Sequence, residues 1–165
     1  MTRSLLVAYG SRKGSTQEVA AAIAARLEEL GHAAELRPAA RVESLAGFDG
    51  VVLGGALYVG RWHADASRFV RRHRAELAGL PVAVFALGPR TVEEHDLADS
   101  MSQLDNALAA LDGFTPLSVA VFGGVVDPAK LRFPLNRMPA SDARDWDAIR
   151  AWADEVAGLV AGVPA

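Results

Sequence analysis

Apolar residues along the chain fall into two kinds of stretch. Short and nearly continuous runs of Val, Leu, Ala and Phe occupy Ser4 to Tyr9, Gly50 to Gly55, Pro81 to Leu87 and Leu117 to Gly123. Runs of that length without polar alternation predict strands buried on both faces. Longer stretches with apolar residues three and four positions apart predict helices over Ser15 to Leu30, Ala64 to Leu77, Asp96 to Leu111 and Asp145 to Val160. The first of these stops at Gly31, a residue suited to a helix end, and the last repeats Trp146, Ile149, Trp152, Val156 and Leu159 on one face. Ala33 to Arg37 is a more polar strand candidate followed by Pro38, which suits a place near a sheet edge. Five strands alternating with helices, with no repeat and no low-complexity linker, predict a parallel sheet covered by helices on both faces.

Ligands of such sheets bind beyond the carboxyl ends of the strands, where the strand order switches. Four segments converge there: Gly10 to Thr16, Gly55 to Trp62, Leu87 to Arg90 and Gly123 to Asp127. The first is the most informative. A helix opening near Ser15 exposes unpaired N–H groups and a positive dipole end, and Gly14 lets them approach an anion closely. Ser11, Ser15 and Thr16 add hydroxyl donors, so the segment reads as a cradle for a phosphate monoester. Capping of the helix by Ser15, with Gln17 and Glu18 completing the first turn, is expected alongside. Capping alone does not explain Ser11 or the paired Arg12 and Lys13. The frame is neither GxxxxGK[ST] nor GxGxxG.

Composition acts mainly by exclusion. At 165 residues the chain fits one domain, spanning 1–165. Half of the residues are hydrophobic and 22% are charged, a globular balance. A net charge of -3 gives no electrostatic reason to expect a nucleic-acid partner. The absence of cysteine excludes disulfides, iron–sulfur ligation and a thiolate nucleophile. The start, Met1-Thr2-Arg3-Ser4, lacks the features of a secretory signal, and no segment reaches the roughly 18 apolar residues a membrane span needs. A soluble cytoplasmic protein is the expectation.

YGSRKGSTQEVA, GFDGVVLGGALYVGRWHADASRFVRRH, LPVAVFALG, VFGG and DWDAIRAWADEVA together resemble the flavodoxin domain of the menaquinone-dependent protoporphyrinogen oxidase group. The similarity runs from about residue 4 to 160. It implies a flavodoxin-like three-layer sandwich with a five-stranded parallel sheet in the order 2-1-3-4-5, holding FMN without a covalent link. The phosphate would lie on Ser11, Arg12, Lys13, Gly14, Ser15 and Thr16. Shuttle flavodoxins generally use neutral donors there, so the two cations resemble the oxidase branch more closely. The flavin ring needs a flat slot with backbone donors and an aromatic or apolar face. Ala56, Leu57, Tyr58, Val59, Gly60 and Trp62 offer both, with Tyr58 and Trp62 as alternative stacking residues. Leu87, Gly88, Pro89 and Arg90 would close the other side, with Gly123 and Gly124 beside them. A cation at Arg90 or Arg61 near the ring would favour its reduced anionic form. The implied activity is an FMN-dependent oxidoreductase, the alternative being an electron carrier or a non-catalytic flavin-binding module. Quinone, porphyrinogen and NAD(P)H are the candidate substrates or redox partners.

Other features carry less. Arg68, Arg71, Arg72 and Arg74 around His73 read as a solvated basic stripe. His32, His63, His73 and His95 show no metal-ligand spacing, and His63 reads as a surface or capping residue before a proton-transfer group. A GxSxG elbow is absent, and Tyr9-Gly10 and Gly54-Gly55 stand where a phosphoacceptor receiver needs carboxylates. Gly124 to Ala143 reads as a structureless segment broken by Pro128, Pro134 and Pro139. Its Leu131, Phe133, Leu135 and Met138 are candidates to cover the flavin edge or an oligomer surface such as a homodimer's. In the resembled oxidases this region is longer and associated with membrane and quinone, so the resemblance does not carry protoporphyrinogen over as substrate.

Overall fold

The computed structural model describes residues 2–11, 14–58, 60–88, 94–111, 113–126, 137 and 141–163. Five strands form a parallel sheet: β1 (Ser4–Gly10), β2 (Ala33–Pro38), β3 (Gly50–Tyr58), β5 (Val82–Leu87) and β6 (Ser118–Phe122), with β4 (Arg61–Trp62) folding back antiparallel on β3. The order β2-β1-β3-β5-β6 is the expected 2-1-3-4-5 once the short return strand β4 is set aside. The helices are α1 (Ser15–Glu29), α2 (Ala64–Arg72), α3 (Arg74–Leu77), α4 (Glu94–Ala109) and α5 (Trp146–Ala161).

Alternation along the central strands divides the core in two, because successive side chains leave opposite faces of a strand. Leu5, Val7, Val52 and Phe85 pack with Ile23 and Leu27 of α1 and Ile149, Trp152 and Val156 of α5. Leu6, Ala8, Val51, Leu53 and Val84 pack with Phe69 and Val70 of α2, Leu77 of α3 and Leu104 of α4. The result is three layers, helix on sheet on helix. Gly54 sits where only glycine fits: a Cβ there would lie 2.0 Å from the Phe85 ring, which is itself fully buried.

α1 ends as its sequence predicts. Gly31, at φ 94°, turns the chain into the left-handed region while its N–H donates to Glu28 O, and His32 N–H closes back on Leu27 O. β2 alternates exposed and half-buried residues, as an edge strand does, and Pro38 falls at its end.

Three expectations change. The helix predicted over Ala64 to Leu77 is two helices, because His73 leaves helical geometry (φ −107°, ψ 20°) and turns inward. Its ring is buried against Phe69, with Nε2 3.2 Å from Val42 O and Nδ1 3.4 Å from Glu76. The neighbouring Arg68, Arg71, Arg72 and Arg74 are exposed, and Arg72 also reaches back to Ala39 O at 2.9 Å. β6 is not buried on both faces: as the other sheet edge it is mostly half-buried and follows an exposed Leu117. The segment Gly124 to Ala143 is not structureless at its base, where β7 (Val125–Val126) and β8 (Ser141–Asp142) form an antiparallel pair. Leu131, Phe133, Leu135 and Met138 lie outside the described residues.

Candidate functional site

Strand register brings the predicted loops to one edge. Gly10 pairs with Gly55, Ala56 with Leu87 and Leu87 with Phe122, and Gly88 N–H donates to Phe122 O. The carboxyl ends of β1, β3, β5 and β6 therefore lie side by side. The order reverses between β1 and β3, so the loops after these two strands flank the position where such sheets take ligands.

At the first loop, the N-cap of α1 is Gly14 and not Ser15, which is the first helical residue. Gly14 holds φ 85°, a conformation L side chains adopt rarely, and its N–H donates to Ser11 Oγ at 3.0 Å. A glycine cap has no side chain with which to satisfy the first-turn N–H groups, so the helix end keeps its donors for another acceptor. Thr16 is fully buried, and its Oγ1 has no hydrogen-bond partner among the described residues. A buried orphan hydroxyl costs about 1–3 kcal/mol unless a ligand completes it. Arg12 and Lys13 lie outside the described residues.

The second loop is a hairpin. Tyr58 pairs with Arg61, and Gly60 before Arg61 takes the left-handed conformation of a turn, at φ 74°. The hairpin separates the two candidate aromatics. Trp62 is buried in the α2 side of the core, its indole N–H donating to Gly55 O at 3.1 Å, whereas Tyr58 exposes 62% of its surface. Ala56 and Leu57 are half-buried, and Val59 lies outside the described residues. His63 takes the capping role: Nδ1 accepts the Asp65 N–H at 3.1 Å and starts α2. The same ring lies over Gly10, where a Cβ would come within 2.7 Å of Nδ1.

Gly88 and Gly123 are glycines for packing reasons. A Cβ on Gly88 would meet Ser100 Oγ at 2.8 Å, and one on Gly123 would meet the Ala143 carbonyl oxygen at 2.1 Å. Gly124 O accepts the Ala143 N–H at 2.9 Å. Gly123 and Gly124 thus clamp the segment returning from β8, and both are buried. Pro89 and Arg90 lie outside the described residues. Arg144, which local sequence reasoning does not single out, stands next to this clamp. Its Nε and Nη2 hold the Asp142 carboxylate at 3.0 and 2.8 Å, and Nη1 lies 3.5 Å from both Ser15 O and Glu18 Oε2 of α1. The paired hydrogen bonds hold Asp142 below the usual carboxylate range and push Arg144 up. Among the described residues no three His, Asp or Glu side chains gather as a metal site, and no helix is long and apolar enough to cross a membrane.

The sequence profile of the flavodoxin domain matches residues 6–138, most of the chain. The chain belongs to the flavodoxin domain family. Among curated relatives, protoporphyrinogen IX dehydrogenase [quinone] of Escherichia coli K12 is 31% identical over 84 residues, half of this chain and 46% of the relative. The match thus spans about half the length of that enzyme. Among solved structures, oxidised flavodoxin 2 from Bacillus cereus superposes with a TM-score of 0.62 at 20% identity, covering 94% of this chain and 99% of that one. A flavodoxin from the domain Archaea gives 0.59 at 13% identity, covering 98% and 99%. At these identities the structures show the flavodoxin fold. Flavodoxin-domain proteins hold FMN, the cofactor against which the phosphate turn and the hairpin are to be judged.

Proposed function

We propose that this flavodoxin-domain protein is an FMN-dependent oxidoreductase that passes electrons to a quinone-type acceptor. The observation that carries the FMN reading is the first turn of α1: a glycine cap at φ 85° and a fully buried Thr16 hydroxyl without a partner among the described residues. That donor set fits a phosphate monoester, which offers several acceptor oxygens and negative charge to a helix end. Bound FMN supplies the redox chemistry. The chain's own residues do the rest: Ser11 holds the Gly14 N–H and so fixes the turn, Thr16 donates to the phosphate, and the β3–β4 hairpin presents Tyr58 as the exposed aromatic at the strand ends. Trp62 supports the hairpin from below through Gly55 O. The quinone acceptor rests on the E. coli relative, whose name states quinone, and on the two cations Arg12 and Lys13 that set this loop apart from a neutral-donor shuttle.

Purified protein should show the visible spectrum of bound oxidised flavin, or take up added FMN with quenching of its fluorescence. A colourless protein that leaves added FMN fluorescent overturns the flavin reading. Anaerobic reduction followed by a water-soluble benzoquinone or naphthoquinone should reoxidise the flavin within the mixing time and sustain turnover. Reoxidation by redox proteins but by neither quinone would replace the enzyme reading with that of a carrier.

A further inference from the structure

Arg144 belongs to neither core and is no part of the phosphate cradle read from the first loop, yet it is held more tightly than most surface arginines. Its side chain is only 9% exposed. The guanidinium lies 4.8 Å from the centre of the Trp146 ring, forks onto Asp142, and reaches the first turn of α1 at Ser15 O and Glu18. The backbone around it is fixed on both sides: Ala143 is clamped by Gly123 and Gly124, and Asp145 caps α5 by accepting the Ala148 N–H at 3.1 Å. One rigid cation therefore ties the β7–β8 ribbon and the start of α5 to the turn where α1 begins.

Two carboxylates stand beside that turn, Asp142 and Glu18, and Arg144 touches both. Without it they would meet no cation among the described residues and would add negative charge next to a site built for an anion, and the first turn would lose its brace from the far end of the chain. We infer that Arg144 is a positioning residue for the phosphate of FMN: it neutralises Asp142 and Glu18 and holds the first turn of α1 against β8. The inference rests on the FMN reading above, and it assigns Arg144 no contact with the flavin itself.

Phosphate dependence separates this role from a merely structural one. Affinities of FMN and riboflavin, the same ring without phosphate, are measured by fluorescence quenching for the parent, Arg144→Gln, and the double variant Arg144→Gln with Asp142→Asn. The expected result is an FMN affinity lowered on the order of tenfold in Arg144→Gln, with riboflavin changed by less than about twofold, and a loss that shrinks as salt rises from low to about 0.5 M. The double variant should recover part of the FMN affinity, because one of the two exposed carboxylates is gone. Equal weakening of both ligands, unchanged FMN binding, or a double variant no better than the single one overturns the inference. If Arg144→Gln does not fold, the double variant carries the same comparison between FMN and riboflavin. A parent protein that binds neither ligand overturns the underlying FMN reading, an outcome distinct from all of these.

Discussion

Thr16 and Gly54 show how differently two buried residues can be tied to function. The Thr16 hydroxyl has no partner among the described residues, so it lowers stability until a ligand meets it. Thr16→Val keeps the shape and removes the orphan. The apo protein should be as stable as the parent or more so, by up to about 1 kcal/mol in urea unfolding, while FMN affinity falls roughly tenfold or more, since a hydrogen bond to a charged group contributes about 1.5–3 kcal/mol. A variant that loses stability and keeps its FMN affinity would show that the hydroxyl has a structural partner instead. Gly54→Ala has the opposite signature. The added methyl would strike the buried Phe85 ring, and overpacking of that kind costs about 1–3 kcal/mol whether or not FMN is present. Adding Phe85→Leu should restore part of the loss, read from the same unfolding curves. Thr16 was legible as part of a hydroxyl-rich loop because strand, glycine and helix follow one another within a few residues. Its burial was not, because that depends on the neighbours the fold supplies. Which of Tyr58 and Trp62 stays exposed was hidden for the same reason: the two are near in sequence, and only the hairpin sends one inward and the other out.

Long elements were legible and short ones were not. The strands and helices with a full apolar period match the expectation to within a few residues, and the edge position of β2 followed from its polar alternation and Pro38. β4, β7 and β8 have two residues each, too few to show a period, so no pattern in the sequence marks their pairing. The break between α2 and α3 was equally hidden, since a histidine inside an arginine-rich stretch reads as surface until Val42 O and Glu76 are found around its ring. The start of α2 is testable as an element boundary. His63 Nδ1 accepts the Asp65 N–H, so His63→Ala should cost about 1 kcal/mol, in the range of a lost N-cap, while His63→Asn should retain most of the stability because Asn offers an acceptor to the same N–H. Thermal unfolding of the apo proteins checks this. Equal loss in both variants would assign the effect to packing of the ring over Gly10.

Two arginines, each clamping a carboxylate, tie parts of the molecule that are far apart in sequence, and both lie on the α1 and α5 side of the sheet. Arg26 in α1 holds Asp154 in α5 at 2.6 Å, and Arg144 before α5 holds Asp142 and reaches α1. Neither long-range tie was visible in the sequence, because Arg26 and Asp154 stand 128 residues apart and Arg144 and Ser15 129. The hydrogen bonds from Arg26 and Arg144 lower the titration of Asp154 and Asp142 below their ordinary 3.8. For a carboxylate whose folded value is depressed, the stabilisation is present above the unfolded value and is lost as pH falls through the folded one. The clamps should therefore hold fully at neutral pH and weaken once the pH falls below the ordinary carboxylate value. Both carboxylates are largely exposed, so each contribution is small and screened by salt. The test is a difference measurement: Asp154→Asn and Asp142→Asn should have lower urea midpoints than the parent at pH 7, and the gap should narrow as the pH is lowered to 3. A gap that stays constant from pH 7 to 3 would mean that the side chains act through packing. Tryptophan emission locates the effect, because Trp146 and Trp152 lie with α5 whereas Trp62 is buried on the α2 side. In Trp62→Phe, which leaves only the α5 reporters, the acid-induced change in emission should precede loss of far-UV helicity, since the layer held by the clamps loosens before the core beneath α2 and α4, which those clamps do not reach.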